Sequence, residues 1–209
     1  TIAKTKSVAF DKGETAFDVL LKAVGKDKIN YKSYSYGPYI TGINGTNEKN
    51  GYYWGLFING VASDKGAGDY DVKNGDNILF KLIDMNTWPP ASYSVKVSVI
   101  GLNKETIIPE TAVDIVQGGT AYDALVQAAT KHKVNIEAVV YSDPSFYTYV
   151  KNLNHSLPDN AFFNMYMNEK IMDTGLVNYQ VKNGDSLKLI AETFDGSSNP
   201  GDNNTNSPS

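Results

Sequence analysis

Gly13-Glu14-Thr15-Ala16-Phe17-Asp18-Val19-Leu20-Leu21-Lys22-Ala23 occurs twice in this chain of 209 residues. Its second form, Gly118-Gly119-Thr120-Ala121-Tyr122-Asp123-Ala124-Leu125-Val126-Gln127-Ala128, is identical at six of the eleven positions. In the first form Ala16, Val19, Leu20, Ala23 and Val24 follow the i, i+3, i+4, i+7, i+8 spacing of one helix face. Thr15 stands where an N-cap hydroxyl is needed, and Asp18 where a capping-box acid reaches back. The second form repeats the design with Thr120, Asp123 and the stripe Ala121, Ala124, Leu125, Ala128 and Ala129.

A second stretch recurs in the same order. Tyr70-Asp71-Val72-Lys73-Asn74-Gly75-Asp76 returns as Tyr179-Gln180-Val181-Lys182-Asn183-Gly184-Asp185, six of seven identical, and the offset drifts only from 105 to 109. A period of this length fits duplication of a domain rather than a solenoid. Asn-Gly inside each stretch is a hairpin-turn signal. Ile78, Phe80 and Leu82 then alternate as a strand, as do Leu187 and Leu189. Asn59-Gly60 marks another turn after the strand 54–58, where the second copy has the weaker Asn168-Glu169. Residues 31–36, 39–43, 93–100 and 106–116 also read as strands. The expected fold is α+β: two β-grasp-like domains, each a mainly antiparallel sheet with one helix packed across it. The expected boundaries are 1–84, a Pro-containing linker 85–92 around Trp88-Pro89-Pro90, a second domain 93–194, and a polar spacer 195–209.

Composition removes several function classes. All 19 basic residues are Lys and the net charge is −4, so neither a nucleic acid nor an anionic membrane is an expected partner. The guanidinium fork for phosphate or carboxylate is absent. With no Cys and two His, thiolate metal sites, Cys nucleophiles and most triad chemistry are excluded. No apolar run is long enough for a membrane span, so no membrane insertion is expected. No nucleophile–base pair or phosphate loop stands out, and an enzyme is the class the sequence disfavours. No cofactor is expected. The start at Thr1 without Met suggests an upstream segment that has been removed.

The candidate ligand-binding residues are the aromatic cluster Tyr34, Tyr36, Tyr39, Tyr52, Tyr53 and Trp54. Aromatic planes offer contact area at low entropy cost to flat ligands such as a sugar, a corrin ring or a peptide, although strand propensity alone also favours these residue types. Trp54 is expected to be partly accessible. His155 reads as a surface-loop residue rather than a metal ligand, and Asp76 as a turn-setting residue rather than a calcium ligand.

These motifs resemble the domain of unknown function shared with the C-terminal β-domain of transcobalamin and intrinsic factor. Copy one carries the whole pattern at Gly13 to Leu20, Tyr39 to Gly45, Trp54 to Gly60 and Tyr70 to Asp76, while copy two departs from it in the middle, at residues 149–155 and 163–169. The resemblance implies cobalamin as a ligand, with this domain closing over one corrin face, or a bacterial surface module. A Lys-, Asn- and Tyr-rich, Arg-free composition suits a secreted protein located outside the cell, at the cell surface or in the cell wall.

The leading expectation is a non-catalytic surface protein with a structural, adhesive or assembly role. Its partners would be other copies of itself or another surface protein. Corrinoid capture and glycan adhesion are the alternatives. At offset 105, Thr1-Ile2 aligns with Thr106-Ile107, so copy one lacks the strand that copy two has at 93–100. An unpaired edge and an uncovered apolar row are therefore expected within residues 2–10, open to strand addition. A shortened chain and donation in trans both account for the missing strand.

Overall fold

The computed structural model describes residues 2–139, 149–153 and 155–194. The polar spacer 195–209 lies outside them. Helix α1 (Ala16–Val24) is followed by strands β1 (Ile29–Tyr34), β2 (Gly37–Ile43), β3 (Thr46–Asn47), β4 (Tyr52–Ile58), β5 (Val61–Ala62) and β6 (Ile78–Asp84). After the Pro-containing connection come β7 (Ser92–Ile100), β8 (Thr106–Val116), α2 (Ala121–His132), β9 (Ile136–Val139), β10 (Tyr149–Leu153), β11 (His155–Ser156), β12 (Ala161–Met167), β13 (Lys170–Ile171) and β14 (Ser186–Thr193). The class is α+β, with mainly antiparallel sheets and two helices.

Each quoted stretch folds the same way at both places. Thr15 and Thr120 cap their helices, each accepting from the N3 amide while Asp18 or Asp123 accepts from the cap amide. Such a cap contributes about 1 kcal/mol. The Asp at the second turn also acts twice. Asp76 accepts from the Lys73 amide and from Asn59 Nδ2, and Asp185 from the Lys182 amide and Asn168 Nδ2. Short polar side chains thus hold the β4–β5 and β12–β13 turns against the turn before β6 or β14.

In the C-terminal half the strands run in the order β13-β12-β14-β7-β8, with β7 parallel to β14 and antiparallel to β8. Alternation along β7 sends Val95, Val97 and Val99 inward, where they are fully buried with Ile108, Ile115, Leu187, Leu189 and the α2 residues Ala124, Leu125 and Ala128. Each of the Val, Ile and Leu side chains stabilises the fold by about 1.5–3 kcal/mol relative to exposure.

The N-terminal half lacks that arrangement. Its sheets are β5-β4-β6 and β1-β2-β3. The strand β6 pairs only with β4 among the described residues, so one of its edges is open. On the α1 face, Leu56, Phe80 and Leu82 are half-buried, as are Phe17, Leu21 and Val24 of the helix itself. The expectation of an edge within residues 2–10 needs correction. That segment forms no strand, and the open edge belongs to β6. Residues 2–10 lie beside α1, held where Lys6 Nζ donates to the Ala23 carbonyl and Asn44 Nδ2 to the Ile2 carbonyl. Without a β7-like neighbour they have no ladder to join, which is why extended apolar alternation alone did not make a strand there.

The halves meet at a packed seam. Phe57 and Ile83 on the sheet face away from α1 bury against Val116 of β8. The Val116 amide donates to the Gly60 carbonyl, Gln127 Nε2 to the Asn59 carbonyl, and the Tyr122 hydroxyl to the Gly75 carbonyl. Asn77 Nδ2 donates to Asp123 Oδ1 at 2.9 Å. At Gly60, φ is +79° and a Cβ would sit 2.9 Å from Asp123 Cβ and 3.0 Å from Ile115 Cγ2. Gly45 has a similar φ of +81° with nothing within 4 Å. Gly45→Ala should therefore cost only the left-handed backbone penalty, about 1–2 kcal/mol. Gly60→Ala should cost about 1–3 kcal/mol more by overpacking the seam. Urea denaturation of both variants measures the difference, and equal losses would mean the close approach at Gly60 is not tight.

Candidate functional site

The hairpin β1–β2 brings three of the six expected aromatic residues together. Its register pairs Lys32 with Tyr39 and Tyr34 with Gly37, which puts Tyr34 and Tyr39 on the face opposite the buried Ile40. The rings of Tyr34 and Tyr36 stack with centroids 5.1 Å apart and an interplanar angle of 8°. Tyr39 meets Tyr34 edge-on at 6.3 Å. The Tyr39 hydroxyl donates to Glu48 Oε2 at 2.7 Å, and this bond to a carboxylate, aided by partial burial, pushes its pKa up to about 12. Tyr34 and Tyr36 remain 46% and 67% exposed.

The other three residues lie elsewhere. Tyr52, Tyr53 and Trp54 are consecutive in β4, so the strand's alternation splits them between two faces. Trp54 does not join an accessible face, contrary to expectation. It is 9% exposed and packs with Leu20, Ile29, Ile40 and Ile43 beneath α1. Its Nε1 is the one buried side-chain donor without a partner among the described residues. Tyr53 points to the opposite face, 6.5 Å from the Trp88 ring, and burial raises its hydroxyl pKa. Tyr52 is half-buried.

Glu48 was missed in the sequence, yet a signal for it exists. The Asn44-Gly45 turn fixes the pairs Ile43 with Thr46 and Gly42 with Asn47. Continuing that ladder sets Glu48 opposite Thr41, where its amide donates to the Thr41 carbonyl at 2.8 Å. That places its side chain two residues along from Tyr39 on the same face.

The seam concentrates the unusual electrostatics. Asp123 is buried, and burial raises its pKa despite hydrogen bonds from Thr120 and Asn77. The corresponding Asp18 is more exposed, and the Thr15 amide and hydroxyl hold its pKa below the usual value. Lys81 donates to the Gln117 carbonyl at 2.7 Å, and burial lowers its pKa. Two recesses open on the surface, one lined by Leu102, Asn103 and residues 191–193, the other at the seam by Lys81, Tyr93, Gln117 and residues 180–182. Neither includes the tyrosine stack. Among the described residues no helix is long and apolar enough to cross a membrane, and no cluster of His, Asp and Glu is arranged to hold a metal.

The two tryptophans give a direct check on this placement. Trp88 is 56% exposed and Trp54 is buried, so acrylamide should quench one component of the fluorescence and spare the other. Trp88→Phe should leave only the shielded component; a fully quenchable remainder would place Trp54 at the surface.

Residues 13–84 match the family model described as a domain of unknown function (DUF4430). No curated protein matches the chain significantly. Among solved structures, a candidate metal-binding protein from Ruminococcus gnavus aligns at 13% identity and a TM-score of 0.36, over 49% of this chain and 98% of its own. Haptocorrin in complex with Cbi aligns at 19% identity and a TM-score of 0.41, over 50% of this chain. The chain spans about a quarter, 26%, of the haptocorrin chain. The sequence match thus falls on the half that contains both the open β6 edge and the tyrosine stack.

Proposed function

We propose that this protein is a non-catalytic binding module of the extracellular surface that assembles by accepting a β-strand at the open edge of β6. One observation carries the reading. In the C-terminal half β7 lies between β14 and β8, and in the N-terminal half the strand corresponding to β14, β6, has no such neighbour among the described residues. Residues 2–10 align with residues 107–115, which belong to β8, so the second wall of the slot is present in sequence. A strand entering between them would run parallel to β6 and antiparallel to residues 2–10. It would satisfy the open backbone groups of β6 and cover the half-buried Phe17, Leu21, Phe80 and Leu82.

The occupant is a strand whose inward positions are β-branched and apolar, supplied either by another chain or by residues preceding Thr1 in a longer chain. The alternation Val95, Val97, Val99 with polar Ser94, Lys96 and Ser98 between them is its pattern. Parallel pairing needs a long crossover within one chain but no connection at all between two chains, so addition in trans meets no topological obstacle. Attachment to another surface protein and self-assembly are two uses of the same slot. Corrinoid capture is the second reading. It would use the tyrosine stack, and a visible-absorbance titration with cobalamin tests it.

The slot is tested with a peptide of residues 92–100 added to the full chain. Saturable binding is expected, with new hydrogen-exchange protection in β6 and in residues 2–10. Val8→Pro removes an amide from the segment that would become a strand, so it should weaken binding about tenfold or more. Val8 lies outside any strand of the free chain, so its thermal midpoint should hold. No binding, or protection that leaves β6 unchanged, would overturn the slot.

A further inference from the structure

We infer that the outer face of Tyr36 is a prebuilt platform for a saccharide ring. The site is separate from the slot at β6 and does not depend on it. An exposed side chain at a hairpin end ordinarily keeps its rotamer freedom, and fixing it costs on the order of 1 kcal/mol. Here Tyr36 is 67% exposed and yet backed by a succession of contacts. It stacks on Tyr34, Tyr34 rests on the edge of Tyr39, and the Tyr39 hydroxyl is tied to the Glu48 carboxylate. The Glu48 amide is bonded in turn to the Thr41 carbonyl. The result is an aromatic plane held in water by the framework of the sheet. Tyr34, Tyr36 and Tyr39 are not among the six buried side chains of the cluster beneath α1. Their order therefore does not serve that core.

The chemistry around the plane selects among flat ligands. A pyranose presents an apolar C–H face about as wide as one phenol ring, with hydroxyls at its rim. Tyr36 supplies the matching face. Glu48 and Lys32 on the same face, with Ser35 in the turn, supply acceptors and donors around it. The half-buried Glu48 carboxylate has acceptor capacity left after taking the Tyr39 proton donor. No basic cluster marks the site for phosphate, and the platform is an outward plane rather than an enclosure. That geometry suits one or two units of an extended polysaccharide chain, bound weakly per unit and strengthened by repetition. Tyr36 would contact the sugar; Tyr39 and Glu48 are positioning residues.

The test uses the full chain with chitohexaose and cellohexaose as probes, followed by tyrosine chemical shifts and by calorimetry. Saturable binding of at least one probe is expected, shifting Tyr34 and Tyr36 first. Tyr36→Ala should weaken it tenfold or more with an unchanged thermal midpoint. Tyr39→Phe keeps every ring but cuts the tie to Glu48. It should weaken binding a few-fold and broaden the Tyr36 signals in the free protein, a readout that direct sugar contact by Tyr39 would not produce. No binding of either probe up to tens of millimolar would overturn the inference. So would binding indifferent to Tyr36→Ala, or a cobalamin absorbance change abolished by Tyr36→Ala without any saccharide binding. Failure of the strand peptide at β6 would leave these readouts untouched.

Discussion

One carboxylate serves two purposes at once. Asp123 uses Oδ2 to accept from the amide and hydroxyl of Thr120, which starts α2, and Oδ1 to accept from Asn77 of the other half. A buried acid is tolerated only when its acceptor sites are filled, because an unsatisfied charged group costs several kcal/mol. Removing either donor set leaves the other with a charge to desolvate. The helix start and the seam are therefore energetically coupled, and the rest of the interface, from Gly60 to Gln127, is arranged around that point. Asp18 has the same cap chemistry without the second partner, and its pKa moves the opposite way.

The two halves differ in how complete their cores are, and the difference follows from their strand topology. In the C-terminal half β7 and β8 close the space beside α2, and much of that helix is buried. In the N-terminal half α1 buries only Ala16 and Leu20. The residues that repeat the pattern on α1 are present but half covered. Trp54 adds to the tension, since an indole donor buried without a partner costs about 1–3 kcal/mol. This half is held by its caps, its paired turns and the seam, and less by a closed core.

Much of this was legible in the sequence, and the misses have clear causes. Both helices with their capping boxes, the turn aspartates and most strands follow from local pattern, because caps and Asn-Gly turns are decided within a few residues. The strand at residues 106–116 falls where alternation placed it. Segment 2–10 has comparable apolar residues but no strand, because a strand exists only with a partner to pair with. The aromatic cluster divided for a similar reason. Tyr34, Tyr36 and Tyr39 share a hairpin face, whereas Tyr52, Tyr53 and Trp54 are neighbours in sequence and therefore opposed in space. The seam was not legible at all. Nothing in the composition of Asn59, Gly60 or Asn77 says that the turn they form will rest on another helix.

Glu169 occupies the position of Gly60 in the second β-turn, with a left-handed φ of 67°. At Gly60 even a methyl group would collide with the helix it meets, so a glutamate at that place could not seat in the same way. The first turn is therefore a fitted joint with almost no steric slack: less than one methyl group of free space at a single backbone position decides whether it can rest on α2.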